Sequence, residues 1–320
     1  MRILAIDGGG IRGLIPAVVL AELERRTGRR TAELFDLIAG TSTGGILACG
    51  LTRRGEDGGP AFTAADLIGL YESEGPEIFH RSLLKRVESA GGIVDERYDD
   101  RGLNAALRRY LDGAYLSQAV TDLFITAYEI ERRQAFFFRS ARARADATHD
   151  FAFVDAARAT AAAPTYFEPV RIRAVEGEDS FALIDGGVFA LNPALAAYAD
   201  VVSAGRGEEV DLVVSLGTGS HTRRIAFEAA RGWGQVEWAR PILDVVFDGG
   251  EQTVDFELGA LLGPDRYVRL QTRLVVASDD LDDAGDRNLE ALRREGARLV
   301  AERSDDIDRI AAALVPAASS

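Results

Sequence analysis

The serine at the centre of GTSTGG, Ser42, lies two residues from Gly40 and two from Gly44, and this G-x-S-x-G spacing has a steric cause. A strand that turns abruptly into a helix strains its central residue and passes so close to itself that only small residues fit beside it. The hydroxyl then projects at a helix N-terminus, where backbone N–H groups can receive negative charge. A serine hydroxyl still needs a base within hydrogen-bond reach. The chain offers three histidines, and of these His221, following the turn SLGTGS, has a strand-end location; His80 falls in a helix-like stretch and His149 in a polar loop. The order Ser42, Asp185, His221 matches one known triad order.

A carboxylate is the other base available. Asp-Gly-Gly occurs at Asp7, Asp57, Asp185 and Asp248. Asp57 lies in the polar loop RRGEDGGP, Asp248 stands between helix-like segments where it can cap, and Asp7 opens DGGGIRG. Asp185 ends the apolar run FALI and opens DGGVFALNP, so it sits at the carboxyl end of an expected strand, where open α/β sheets place their sites. Shaping that turn is the alternative role for Asp185. An ordinary aspartate, with a pKa of about 3.9, is a poor acceptor from an alcohol unless burial raises it. Strong help at the oxyanion is also required. In DGGGIRG the amides of Gly8, Gly9 and Gly10 can face one point, with the Arg12 cation nearby, and one such donor is worth roughly 100–1000-fold in rate.

These turns need strands and helices to hold them. Strands are expected at Ile3–Ile6, Leu34–Ile38, Leu123–Glu129, Gln134–Arg139, Phe181–Ile184, Asp211–Leu216 and Tyr267–Leu274. Helices are expected from Leu14, from Ile46, around Asp155–Ala163, from Pro193, around Pro241–Leu262 and from Asp286. Their alternation points to a layered α/β fold. No composition break marks a linker, so residues 1–320 read as one domain, with the mostly helical stretch 64–111 as a cap over the sheet edge. Within it Ile78, Phe79, Leu83, Leu84 and Val87 form an apolar series beside His80, Arg81, Lys85 and Arg86, which reads as a helix packing on the core or lying on a membrane. Tyr166 and Phe167 can line a pocket or fill the core, and Phe136–Phe138 reads as buried strand.

The 320 residues carry a net charge of −14, with 47% hydrophobic and 28% charged residues. That balance suits a globular protein and argues against general nucleic-acid binding and tight adsorption to anionic membranes. The single cysteine, Cys49, excludes an intrachain disulfide and reads as a buried core thiol. No secretory signal fits MRILAIDGGG, and no apolar run reaches the roughly 18–20 residues that span a bilayer. A soluble, cytoplasmic protein is therefore expected.

With these segments in place, the chain resembles the patatin-like phospholipase family over nearly its whole length. DGGGIRG resembles the family's oxyanion loop, GTSTGG its nucleophile elbow and Asp185–Gly186–Gly187 its catalytic-aspartate motif. ATAAAPTYFEP (Ala159–Pro169), VVSLGTGS (Val213–Ser220) and LDVVFDGGEQTVDFEL (Leu243–Leu258) also look like family segments. The resemblance implies a three-layer α/β/α fold with a central, mostly parallel sheet. It further implies calcium-independent hydrolysis of lipid acyl esters with no cofactor. Ser42 is then the nucleophile and Asp185 the base, with the Gly8, Gly9 and Gly10 amides as oxyanion donors and Arg12 in support. Its substrate would be a lipid ester met at a membrane or micelle surface. One departure is FALNP, where family members often have Asn at the position of Leu191.

Other readings compete with this one. Gly8, Gly10 and Gly13 satisfy a dinucleotide-binding pattern, but Asp36 lies within the next expected strand and not at its tip, where a ribose would need it. A non-enzymatic lipid binder would have no need of Ser42, Asp185 and the Gly8–Gly10 turn together. A membrane-degrading effector switched on by a nucleotide second messenger, as in some bacterial relatives, and a Ser42/Asp185/His221 triad esterase are the alternatives within the enzyme reading.

Overall fold

The computed structural model describes residues 1–79, 98–220, 224–238 and 241–315. His80, His221 and the series Leu83, Leu84 and Val87 lie outside the described residues. The first strand, β1 (Arg2–Ile6), shows how the layers arise. Leu4 and Ile6 join one apolar cluster while Ile3 and Ala5 join a second, and all four are fully buried. A strand buried on both faces requires helices on both sides of its sheet.

β1 is flanked in parallel by β2 (Leu37–Gly40), and the parallel set continues into β3 (Asp122–Glu129). Beyond β3 the sheet turns antiparallel through β4 (Gln134–Arg139), β5 (Val170–Arg173) and β6 (Ser180–Asp185). On the other side of β1, β7 (Leu212–Leu216) and β8 (Tyr267–Leu270) extend it in parallel. The eight strands run β5-β6-β3-β2-β1-β7-β8, with β4 also pairing to β3.

The larger cluster is built by α1 (Leu14–Thr27), α2 (Thr43–Thr52), α3 (Ala64–Ile78), α4 (Asp100–Leu111) and α5 (Phe153–Thr160). The opposite face is covered by α6 (Ala194–Ser203) and α7 (Pro241–Arg266), through Ala197, Val201, Leu258 and Leu262. The chain then returns to the first face with α8 (Asp286–Glu302) and α9 (Ser304–Leu314). The result is the expected α/β/α sandwich around a mostly parallel sheet.

Several expectations need correcting. The second strand begins at Leu37 and not at Leu34, because Thr31–Leu34 is a helical turn. The Glu24 carboxylate accepts both the amide and the hydroxyl of Thr31 at 2.8 Å, and the Arg30 amide donates to Glu33 at 2.9 Å, which satisfies the donors of that turn. The eighth strand ends at Leu270, and β5 was missed. The described helices of the 64–111 stretch pack into the larger cluster. Leu67, Leu70, Leu103 and Leu107 lie in the same cluster as α1 and α2. Ile78 is buried at the end of α3, and Phe79 packs edge-on against Tyr98, so the described start of the apolar series faces inward.

Candidate active site

β2 leads straight into Ser42, which caps α2 with φ 54° and ψ −123°. A side chain held at that φ costs on the order of 1–3 kcal/mol, and the neighbours over-determine it. A Cβ on Gly40 would stand 2.2 Å from the Gly44 carbonyl oxygen, and one on Gly44 would stand 2.1 Å from that of Ile6. The Ser42 amide donates to Thr160 Oγ1 at 2.8 Å, which ties the elbow to α5.

The loop after β1 hangs beside the elbow. Its amides are not equivalent. The Asp7 amide donates to the Leu216 carbonyl and the Gly8 amide to the Leu191 carbonyl, each at 3.0 Å, and the Ile11 amide donates to Leu281 at 2.9 Å. The Gly9 and Gly10 amides have no partner among the described residues. The Gly8 amide is thus already bonded to Leu191, unlike those of Gly9 and Gly10. Gly10 adopts φ 57°, and a Cβ there would lie 2.2 Å from the Leu281 carbonyl oxygen. Thr218 Oγ1 steadies the loop by donating to the Gly8 carbonyl at 2.8 Å.

Arg12 follows in the next turn and is buried. Its Nη1 reaches the Asp279 carbonyl at 3.4 Å, and its Nε has no partner among the described residues. Burial works against its charge and lowers its pKa, opposed by nearby carboxylates, Glu251 first.

Asp185 ends β6, a strand antiparallel to β3. It reaches the carboxyl edge of the sheet from the far side. β3 pairs Ile125 with Gly40 and, two residues on, Ala127 with Asp185, so the carboxylate comes to the level of the elbow. Asp185 is 2% exposed and its Oδ1 accepts the Gly187 amide at 2.7 Å. Burial pushes its pKa up to about 7, while hydrogen bonds from the Ser42 hydroxyl and the Gly187 amide pull the other way. A Cβ on Gly186 would strike Thr126 Oγ1 at 2.1 Å, so the turn closes tightly against β3.

Ser42, Asp185, Gly9, Gly10 and Arg12 all line one narrow cavity of about 70 Å³. Ile46, Leu70, Leu103 and Phe167 make its remaining wall apolar, together with Tyr166 and, from α7, Phe247. Chemically, this is an alcohol beside a base of near-neutral pKa, with two unpaired amides, at the polar end of an apolar slot. Leu191, the one departure from the family pattern, lines the same cavity and its carbonyl holds the Gly8 amide.

The other candidates lie elsewhere. His149 bonds Asp146 at 2.8 Å and is no part of the cavity wall. Asp57 Oδ1 accepts the Gly59 amide at 3.0 Å within its own turn. The Asp36 carboxylate is taken by the Arg2 amide at 2.6 Å. Cys49 is fully buried and its thiol is pushed up by burial. Among the described residues, no group of three or more His, Cys, Asp or Glu is placed to hold a metal ion. Thr160 and Thr218 are the functional neighbours that sequence reasoning missed. Nothing in ATAAAPTYF or SLGTGS distinguishes a hydroxyl that meets the elbow from any other small polar residue.

The family model described as patatin-like phospholipase matches residues 4–198. Patatin-like protein 2 of Arabidopsis thaliana is 34% identical over 94% of this chain and 83% of its own, and patatin-like protein 4 of the same plant is 31% identical over the same shares. A Solanum tuberosum protein named probable inactive patatin-3-Kuras 1 is 30% identical over 94% of this chain and 86% of its own. On the matched length and these identities, the chain belongs to the patatin-like phospholipase family.

Proposed function

We propose that the protein is a lipid acyl hydrolase of the phospholipase A or lysophospholipase type, working through a Ser42–Asp185 dyad without calcium. The observation that carries this reading is that Ser42 and the buried Asp185 line the same apolar-walled cavity, where the Ser42 hydroxyl opposes the burial that raises the Asp185 pKa. The acyl chain of a lipid ester lies along the apolar wall and brings its carbonyl carbon to Ser42. Asp185 takes the hydroxyl proton as Ser42 Oγ attacks. The Gly9 and Gly10 amides, with Arg12 behind them, meet the negative charge that forms on the carbonyl oxygen, the place a metal ion would otherwise fill. As the intermediate collapses, the C–O bond to the alcohol or lysolipid breaks and Asp185 returns the proton to the departing oxygen. Water, deprotonated by Asp185, then attacks the acyl-serine; as the acyl C–Oγ bond breaks, Asp185 returns the proton to Ser42 Oγ and the fatty acid leaves.

No helix among the described residues is long and apolar enough to cross a membrane, so access to the lipid is proposed from a membrane or micelle surface. The test is fatty-acid release from mixed phospholipid vesicles in EDTA by the protein and by Ser42→Ala. The expected result is release by the parent alone. Equal release by Ser42→Ala, or release only when calcium is restored, contradicts the reading.

A further inference from the structure

Three consecutive glycines have too much backbone freedom to fix the direction of their own amides, so the oxyanion loop must be held from its ends. On one side the Ile11 amide is fixed to Leu281. On the other stands Asp7, fully buried and outside the cavity. Its two carboxylate oxygens are gripped by Arg269, Nη1 to Oδ1 at 3.0 Å and Nη2 to Oδ2 at 2.5 Å. The same guanidinium donates to Ser215 Oγ on β7 at 2.8 Å and to Glu251 Oε1 on α7 at 2.6 Å. Glu251 Oε1 also accepts Gln271 Nε2 at 2.5 Å, and Gln271 Oε1 accepts the Gly219 amide at 2.8 Å.

One arginine, its side chain 9% exposed, therefore joins the root of the oxyanion loop to β7 and to the helix whose Phe247 walls the cavity. Stability alone is a poor account of this cluster. A buried ion pair often contributes no more than a packed apolar replacement would. Its geometric content is larger, because the planar fork fixes the direction of the Asp7 carboxylate in a way a point charge does not.

We infer that Arg269 is a positioning residue for acyl transfer. Through Asp7 it aims the Gly9 and Gly10 amides at the oxyanion, and through Glu251 it holds α7 in register with them. The inference rests on the Ser42 hydrolase reading. It is tested with a soluble short-chain nitrophenyl ester, reading kcat and KM separately, and with an alkylboronic acid. The boronic acid adds to Ser42 Oγ and presents a tetrahedral oxyanion. Thermal melts give the folded fraction.

Arg269→Gln should lower kcat about 10- to 100-fold and weaken boronic-acid inhibition by a similar factor, with KM within about twofold, since less than a full donor is lost. Arg269→Lys should recover part of both effects. Asp7→Asn, which keeps the shape of the pair, should show the same parallel losses if Arg269→Gln does not fold. Wild-type kcat per folded molecule, or a fall in kcat with boronic-acid inhibition unchanged, overturns the inference while Ser42→Ala is inactive. Turnover that survives Ser42→Ala overturns the hydrolase reading and this inference together.

Discussion

At the scale of the residue, burial decides what Asp185 can do. A carboxyl with a pKa near 7 is a base matched to neutral solution, whereas one near the usual carboxylate value would hold a serine proton poorly. The kcat/KM for a soluble ester should therefore rise about tenfold per pH unit below 7 and level off above it. A profile already flat at pH 5 contradicts this. The same shift has a stability sign. The folded pKa lies above the unfolded value of 3.8, so the native state binds more protons than the unfolded chain between about pH 4 and 7. Its contribution is fully present below pH 3.8 and is lost as pH rises through 7. Asp185→Asn should then gain on the parent as pH rises, by up to on the order of 4 kcal/mol above pH 7. Melts at pH 5 and pH 8 check this, and a gap that does not widen with pH contradicts it. The turns that carry Ser42 and Asp185 were legible because their flanking glycines advertise them. The unequal bonding of the Gly8, Gly9 and Gly10 amides was not legible, since the carbonyl that takes the Gly8 amide belongs to Leu191, far along the chain.

Among the elements, the elbow depends on α5 as much as on its own glycines. The Ser42 amide has Thr160 Oγ1 as its acceptor, and Thr160 is fully buried. Thr160→Val keeps the shape and leaves that amide unpaired, at a cost of about 1–3 kcal/mol. The expected outcome is a lower Tm and a lower kcat, read by melting and by ester turnover; an unchanged Tm contradicts it. The elements were mostly found by periodicity, because β1 and β7 are apolar runs closed by glycine turns. The short strand β2 was displaced, because the apolar Leu34 and Phe35 look like strand residues while side-chain caps fold Thr31–Leu34 into a helical turn. The strand β5, only four residues long with two arginines, gives no apolar run to find.

For the whole molecule, the sheet order is what composition and pattern do not reach. β3 pairs with β2 through its first half and with β6 through its second, and that double pairing delivers Asp185 to Ser42. Such pairing is decided by packing between distant segments, so only the layered class was readable from the alternation of elements. The net charge of −14 acts at the same scale. Fatty-acid release from anionic vesicles should be slower than from neutral ones at low salt, and the difference should shrink as salt shortens the reach of repulsion from about 30 Å at 0.01 M to about 10 Å at 0.1 M. Release that falls with added salt on anionic vesicles contradicts this.

The central claim is that an aspartate alone serves as the base for Ser42. It is tested most directly by kcat/KM on one soluble ester for the parent, Asp185→Ala and His221→Ala. The account predicts a loss of about a thousandfold or more for Asp185→Ala, since base and nucleophile act as one unit, and parental turnover for His221→Ala. Parental turnover in Asp185→Ala, or a comparable loss in His221→Ala, would contradict it and favour the triad.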